Sequence, residues 1–392
     1  MKLLLTTNGR LHKNKAGEYY TEMVYGYSFF QRYFEVFNQI RLVAHVQESD
    51  SDLSDMLRVD GPNLEIYDVP FPHGKIQYIK QYGAIKKRLL GAAAGCDVAI
   101  FRIPDQLAFQ AMPISIKAGL PVGIEVTSSS WEFFGPGSTV GIFRPILRIL
   151  WDRQQKKACE IADASCYVTS YAIQKRYRPS SKGGSFSTYC SDVDINPFRT
   201  EARNFGTEPL KTLRILHVAG SLSGRAKGHG ELLRAMVLLK KMGKEVSCVL
   251  VGGGQLNEGN RRLIQEKQLV VETVGLKTSD EIAEIMRKSD MFVFPSYREG
   301  LPRVVVEAMA AGLVCVATEL DGTQELLDSQ MLVPIRNQVA LADCILQLME
   351  HPEQMSAQSV RNVKVADEYS PEKILERRST FLRFLRRKAE QT

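Results

Sequence analysis

The stretch FPSYREGLPRVVVEAMAAG, residues 294–312, passes from a strand through a short loop into a helix. The preceding residues complete the segment DMFVFPS (290–296), which predicts a buried strand, and YREG supplies the loop. Pro302 fits the first turn of the helix, where its missing N–H costs nothing. Glu299 lies in the loop and Glu307 lies on a largely apolar helix, so each carboxylate requires an explanation.

The same order of short apolar strand and longer amphipathic segment recurs along the chain, which is typical of a parallel α/β architecture. In the first half we predict a helix over 19–38 and strands at 2–6, 40–46, 64–67, 97–101, 121–126 and 164–169. In the second half we predict strands at 213–220, 246–254, 271–276, 290–296 and 313–319. Residues 178–211, rich in Pro, Ser, Gly and Asn, predict an interdomain connection.

Length and composition agree with two soluble domains. A chain of 392 residues is longer than a single domain with one hydrophobic core usually is. Its contents of 44% hydrophobic and 24% charged residues are usual for a globular protein. The seven cysteines contain no C-x-x-C pair, and no segment reaches the roughly 18 apolar residues of a membrane helix. We therefore expect a cytoplasmic protein with reduced cysteines. The net charge of +7 favours phosphates or an anionic membrane face as partners.

The carboxyl ends of parallel strands are where such sheets bind ligands. The backbone amides around Gly300 and Leu301 are free at a helix N-terminus, which favours a phosphate. Glu307 comes about five residues into the helix, or roughly 7–8 Å along its axis, and this separation resembles the span of a diphosphate. Because a carboxylate accepts from two sugar hydroxyls, one glutamate is suited to a ribose and the other to a transferred sugar.

Glu299 and Glu307 also match the E-x7-E motif of retaining glycosyltransferase family 4, and EGLPRVVVEAMAAG resembles that family closely. Further similar segments are VGGGQLNEG, VGLKTSDEIAEIMRKSDMFVFPS, DGTQELL and SDVDINPF. The resemblance implies the GT-B architecture, in which two Rossmann-like α/β domains face each other across a cleft. We expect an acceptor-binding domain at 1–200, a donor-binding domain at 205–371, and a C-terminal helix at about 372–392 that packs back on the first domain.

The resemblance assigns roles residue by residue. It implies that Glu307 binds the nucleotide ribose, Glu299 the donor sugar and Lys227 the donor diphosphate. The family commonly has arginine where this chain has Ser221, and Arg225 is our candidate replacement, because guanidinium binds phosphate from a shifted position. The remaining donor contacts that we expect are Gly300 and Leu301 at the phosphate, Gly275 and Leu276 at the base, and Gly17 from the glycine-rich loop of the first domain.

The implied reaction is transfer of a sugar from a nucleotide-diphosphate donor to an acceptor hydroxyl, with retention of configuration. Cations and helix dipoles aimed at the leaving diphosphate would stabilise its developing charge. We expect no metal, no cofactor and no nucleic-acid partner. The acceptor is expected to be a glycan or lipid-linked glycan in bacterial surface polysaccharide or glycolipid synthesis. The basic amphipathic stretches 142–158 and 381–392 are candidates for peripheral contact with the inner face of the membrane, and ordinary packing is the alternative for each.

Other functions remain open at this point. A nucleotide-sugar epimerase of the same architecture would need no acceptor, and a non-catalytic glycan- or nucleotide-binding protein would show no turnover. VGGG follows the second strand of its domain rather than the first, which argues against a dehydrogenase. The D-x-D sequences at Asp50 and Asp192 resemble the metal motif of another glycosyltransferase architecture, but neither has supporting ligands nearby in the sequence.

Overall fold

A computed structural model describes residues 1–22, 25–72, 75–135 and 143–391. The contacts divide the chain into two compact units, and each is an α/β structure. The first unit contains Met1–Trp131, Phe143–Cys190 and Leu375–Thr392, and the second contains Glu132–Ile142 and Ser191–Ile374. The chain passes between the units at residue 190, a little before the boundary expected between residues 200 and 205.

The first unit is built on a parallel sheet whose strand order is β5-β3-β1-β6-β7-β8-β9. Its strands are β1 (Lys2–Lys13), β2 (Tyr19–Thr21), β3 (Gln39–Glu48), β4 (Leu57–Arg58), β5 (Leu64–Pro70), β6 (Val98–Ile103), β7 (Val122–Val126), β8 (Ala164–Tyr167) and β9 (Phe186–Tyr189). Its helices are α1 (Tyr27–Phe34), α2 (Lys75–Ala92), α3 (Gln106–Lys117) and α5 (Arg144–Ile161), while α4 (Ser130–Phe133) lies at the boundary of the two units.

One prediction for this half is wrong. The predicted helix over 19–38 begins as β2, which pairs antiparallel with the end of β1 and with β4, and only α1 is helical. Tyr19 and Tyr20 favour a strand, and Gly26 immediately precedes α1. The predicted connection over 178–211 contains the passage between the units, after Cys190. It also contains β9, which pairs parallel with β8 and extends the first sheet.

A C-terminal helix, α13 (Pro371–Glu390), begins in the second unit and continues into the first. The Phe384 ring stacks on the Phe186 ring with 5.3 Å between centroids, and Lys388 lies 2.8 Å from a carboxylate oxygen of Asp163. The side chains of Phe381, Leu382 and Leu385 are fully buried. The apolar face of this helix therefore forms part of the core of the first unit.

The second unit is built on a parallel sheet whose order is β12-β11-β10-β13-β14-β15. Its strands are β10 (Thr212–Ser221), β11 (Glu245–Gly253), β12 (Val270–Thr273), β13 (Met291–Phe294), β14 (Val314–Thr318) and β15 (Leu332–Val333). Its helices are α6 (His229–Lys241), α7 (Glu258–Lys267), α8 (Ser279–Arg287), α9 (Arg303–Ala310), α10 (Asp321–Leu326), α11 (Gln338–Glu350) and α12 (Pro352–Ala366). All five strands predicted in this half are present, which confirms the parallel α/β expectation.

Strands β13 and β14 are the most buried strands of the second sheet. Every residue of β13 and β14 is buried, as expected for strands covered on both faces. The strand order reverses direction between β10 and β13, so the loops after these two strands part from each other at the carboxyl edge. Such a switch point is where open α/β sheets bind ligands.

Two further features concern the whole described chain. All seven cysteines are free thiols, and six of them are buried. No helix among the described residues is long and apolar enough to span a lipid bilayer.

Candidate functional site

Lys227 and Glu299 meet at the switch point of the second sheet. Lys227 lies in the loop between β10 and α6, and Glu299 in the loop between β13 and α9. The Lys227 ammonium nitrogen lies 2.5 Å from Oε1 of Glu299, and the Ser296 hydroxyl donates to the same oxygen at 2.8 Å. The Glu299 side chain is 16% exposed and that of Lys227 34%. Two residues that are 72 positions apart in the sequence therefore form one partly buried ion pair.

Close backbone packing holds the Glu299 loop. A Cβ atom on Gly322, the residue after the start of α10, would lie 1.7 Å from the carbonyl oxygen of Gly300. Only glycine permits this approach, so the DGTQELL segment packs directly against the backbone of the Glu299 loop. No hydrogen bond among the described residues uses the backbone amides of Gly300 and Leu301. These amides are therefore available to an anion, as expected just before a helix.

Glu307 is the fifth residue of α9, and Pro302 is the N-cap residue rather than part of the first turn. The Glu307 side chain is half-buried and has no hydrogen bond or ion pair among the described residues. Burial raises the pKa of Glu307 from 4.5 to about 7; the charge of Asp194 also raises it, and Arg303 opposes both effects. Near neutral pH this carboxyl group can therefore accept a hydrogen bond and, when protonated, also donate one.

The expected base-binding loop lies beside the glycines that end β11. Gly275 has a φ of +73°, and its carbonyl oxygen accepts from the amide of Gly252 at 2.9 Å. The Leu276 side chain is 71% exposed and lies against Gly253. The loop therefore presents an exposed apolar side chain and a constrained backbone beside the glycine-rich strand end.

Three further predicted residues are Ser221, Arg225 and Gly17. Ser221 is exposed at the end of β10, and its hydroxyl oxygen accepts from the amide of Ser223 at 3.2 Å. Arg225 is exposed and lines a pocket whose lining includes neither Lys227 nor Glu299. Gly17 belongs to the first unit, in the turn between β1 and β2, with a φ of +84°. The roles given to these three residues stay predictions.

Sequence reasoning missed Glu132. Its Oε1 accepts from the backbone amide of Asp321 at 3.2 Å, across 189 positions of sequence. Burial and the charge of Asp321 raise the pKa of Glu132 to about 8, with a further contribution from Glu299. A carboxyl group that stays protonated near neutral pH is common at functional sites. The TSSSWEFFG segment around Glu132 carries no motif that could have identified it.

A buried histidine pair lies beneath the loop that carries Lys227. Nδ1 of His217 lies 2.8 Å from the carbonyl oxygen of Val293, and Nδ1 of His229 lies 3.0 Å from Nε2 of His217. Burial lowers the pKa of His217 to about 3, with the charges of His229 and Lys227 adding to the effect, and burial also lowers the pKa of His229. One N–H on each neutral ring satisfies these two contacts, and Nε2 of His229 also lies 3.3 Å from the carbonyl oxygen of Ser221. The pair therefore links β10, α6 and β13 beneath the site without adding charge.

Among the described residues, His, Cys, Asp and Glu side chains form no group of three or more that could hold a metal ion. The ion pair, the free amides and the protonatable Glu307 are thus the main chemical groups at this edge of the second sheet. Together they suit a ligand that carries both phosphate and hydroxyl groups.

Comparison with known proteins agrees with this description. The sequence model of the family described as "Glycosyl transferases group 1" matches residues 213–351, which include the ion pair and Glu307. The putative glycosyltransferase EpsF of Bacillus subtilis is 39% identical over 24% of each chain, and the amylovoran biosynthesis glycosyltransferase AmsK of Erwinia amylovora is 29% identical over 40% of each. The chain thus spans less than half the length of these two relatives. Protein CapJ of Staphylococcus aureus is 23% identical, over 98% of this chain and 96% of its own.

Solved structures match over the whole chain. Sucrose-phosphate synthase from Thermosynechococcus elongatus has a TM-score of 0.66 at 17% identity, covering 99% of this chain and 100% of its own. Anabaena HepE, solved in complex with UDP and glucose, has a TM-score of 0.63 at 16% identity, with both chains fully covered. At these identities the likeness shows the fold. The protein therefore has the GT-B fold of two Rossmann-like α/β domains, and its residues 213–351 carry a domain similar to the group 1 glycosyl transferases.

Proposed function

We propose that the protein is a retaining, metal-independent glycosyltransferase that moves a sugar from a nucleotide-diphosphate donor to a hydroxyl group of a glycan or lipid-linked glycan. The observation that carries this proposal is the ion pair between Lys227 and Glu299 at the switch point of the second sheet. The names of AmsK and of the UDP complexes of HepE support a polysaccharide product and a nucleotide-sugar donor.

The ion pair suggests how the donor is received. A diphosphate is a stronger partner for the Lys227 ammonium than one carboxylate, because it offers more charged oxygens. When Lys227 turns to the diphosphate, Glu299 loses its cation and is free to accept hydrogen bonds from sugar hydroxyls. The pair therefore keeps both residues ordered until the donor replaces their mutual contact.

The other residues complete the donor site. The amides of Gly300 and Leu301 and the N-terminus of α9 stabilise charge on the phosphates. Glu307 receives the ribose hydroxyls, and Gly275 and Leu276 lie against the base. As the bond to the anomeric carbon breaks, negative charge grows on the diphosphate and these groups stabilise it. The acceptor oxygen bonds to the anomeric carbon on the face that the diphosphate leaves, so the sugar keeps its configuration. The leaving phosphate takes the proton of the acceptor hydroxyl, and no dedicated base is needed.

The first experiment measures donor binding. UDP, GDP, ADP, dTDP and NAD are titrated against the wild type, Glu307→Ala and the control Glu284→Ala, which changes an exposed residue of α8. Ligand at about 100 times its dissociation constant adds roughly 2.7 kcal/mol to stability, enough for a clear thermal shift. We expect one nucleoside diphosphate to stabilise the wild type and the control, and Glu307→Ala to lose most of that shift. Stabilisation by NAD alone, or by none of the five, contradicts the proposal.

The second experiment measures turnover. With the matching nucleotide sugar and a glycan acceptor, product analysis by NMR should show the anomeric configuration of the donor. Release of an altered free sugar without an acceptor would identify an epimerase. Donor binding without any turnover over a panel of acceptors would favour a binding protein.

We also propose that the protein works in the cytoplasm, in peripheral contact with the inner face of the cell membrane. Helix α5 carries a stripe of exposed residues at helical spacing, Ile146, Ile149 and Leu150, which are 46–59% exposed. Arg153 and Lys157 continue the same stripe one and two turns later and are also exposed. An apolar stripe that ends in cations is suited to an anionic lipid surface.

Vesicle sedimentation tests this contact. The wild type should bind vesicles rich in phosphatidylglycerol and bind phosphatidylcholine vesicles much less. The double variant Ile146→Ser, Ile149→Ser should lose most of the binding, whereas Leu90→Ser, which changes an exposed leucine of α2, should not. Equal binding by all three proteins would show that α5 is not the contact surface.

A further inference from the structure

A second polar pocket lies in the second unit, beside the loop that carries Lys227. Its volume is about 750 Å³, within the usual range for small-molecule sites. Three guanidinium groups from separate elements line it: Arg225 before α6, Arg234 on α6, and Arg336 in the loop after β15. The lining includes Arg225, for which the sequence predicted a contact with the donor diphosphate, but it includes none of Lys227, Glu299 and Glu307. The pocket is therefore distinct from the ion pair and from Glu307.

The pocket has an excess of positive charge. Arg225 makes no ion pair or side-chain hydrogen bond with the described residues, and Arg336 has only the face of the Tyr297 ring, 4.8 Å away. Arg234 pairs with Glu231 at 2.5 Å, and Glu231 is the only carboxylate among the described residues that line the pocket. Two guanidiniums are thus left without an anion. Arginines grouped in this way bind phosphate through paired N–H donors.

The opposite side of the pocket is lined by polar side chains whose hydrogen-bonding groups are only partly used. Asn260, on the first turns of α7, is only 7% exposed and lines the pocket. Its side-chain amide makes no hydrogen bond with the described residues and is therefore available to a ligand. Asn257, the N-cap residue of α7, also lines the pocket, so the positive end of that helix faces it.

We propose that this pocket binds a phosphate monoester of a polyhydroxylated compound such as a sugar. Arg225, Arg234 and Arg336 hold the phosphate group, and the amides of Asn260 and Asn257 receive hydroxyl groups. The volume exceeds that of phosphate alone, and the lining offers mainly hydrogen-bonding groups to the remainder. The inference does not depend on the proposed transfer reaction, because no residue given a role in that reaction under the proposed function lines the pocket.

Titration calorimetry at constant ionic strength tests the site with inorganic phosphate, glucose 6-phosphate and glucose. We expect saturable binding of the two phosphates, tighter for glucose 6-phosphate, and no measurable binding of glucose. Arg336→Gln should weaken both phosphates by about ten- to a hundredfold, the loss of one charge-assisted contact. Asn260→Ala should weaken glucose 6-phosphate severalfold and leave inorganic phosphate unchanged.

Two further variants separate this site from the surface and from the donor site. Arg262→Gln, which removes an exposed arginine of α7 outside the lining, should bind like the wild type. Lys227→Ala should lose nucleotide affinity and keep phosphate affinity. The inference is wrong if neither phosphate binds below about 10 mM, or if Arg336→Gln has no effect beyond that of Arg262→Gln. It is also wrong if a nucleoside diphosphate displaces phosphate and Lys227→Ala abolishes both.

Discussion

Replacing Glu307 by glutamine should stabilise the protein in a pH-dependent way. Burial raises the pKa of this carboxyl group from 4.5 to about 7, so the folded chain holds the proton more tightly than the unfolded chain does. The difference corresponds to roughly 3.4 kcal/mol between the protonated and ionised forms. That stabilisation is present below about pH 4.5 and is lost as the pH rises through 7, where the half-buried group must ionise.

Glu307→Gln keeps the shape of the side chain and cannot ionise. Its stability relative to the wild type should therefore rise by about 2 kcal/mol between pH 5 and pH 8, after allowance for the solvent that still reaches the group. Urea denaturation of both proteins at pH 5, 6, 7 and 8 measures the difference, and other titrating groups cancel in the comparison. The control is Glu284→Gln on α8, which should show no trend. A stability difference that is equal at pH 5 and pH 8 would refute the burial of an ionisable Glu307.

Three other predictions concern β10 and the loop that follows it. Gly228→Ala should cost about 3 kcal/mol or more in urea denaturation, because φ is +73° and the new Cβ would lie 2.0 Å from the Pro295 carbonyl oxygen. Gly243→Ala, at a similar φ of +78° with open space around it, should cost only about 1 kcal/mol. Burial lowers the pKa of His217 to about 3, so its ring should stay neutral in the folded protein at pH 5, which ring ¹⁵N shifts measure. Because the unfolded chain takes up this proton near pH 6.5, acidification from pH 7 to pH 5 should cost about 2 kcal/mol of stability through His217. Lys227→Ala should raise the dissociation constant of the preferred nucleoside diphosphate about tenfold or more in calorimetry, and an unchanged value would exclude contact with the diphosphate.

Local patterns predicted much of the second unit. Its strands are continuous apolar runs between polar segments, and the FPSYREGLPRVVVEAMAAG stretch contains strand, loop and helix in the order observed. Lys227 and Glu299 could be singled out because each lies in a recognisable segment. Their contact could not be read from spacing, because it depends on β10 and β13 being neighbours in the sheet.

The failures arise where long-range pairing decides the structure. Tyr19–Thr21 becomes a strand because β1 and β4 provide pairing edges, and Phe186–Tyr189 joins the sheet because β8 lies beside it. Glu132 escaped notice because its hydrogen-bond partner, Asp321, lies far along the chain. Arg225 lines a pocket that is formed by residues from several elements of the second unit. The spacing of residues in the sequence could not predict that arrangement.

The position of α13 bears on how the protein is made. The first unit contains residues that the ribosome adds only after the whole of the second unit. During synthesis the surface that receives Phe381, Leu382 and Leu385 is therefore left uncovered, although its sheet has long been complete. Domains usually fold in the order in which they emerge, but here the domain that emerges first acquires its full core last. A nascent chain stalled before α13 would leave this apolar surface exposed, and chaperones that bind such surfaces would find it on the first domain.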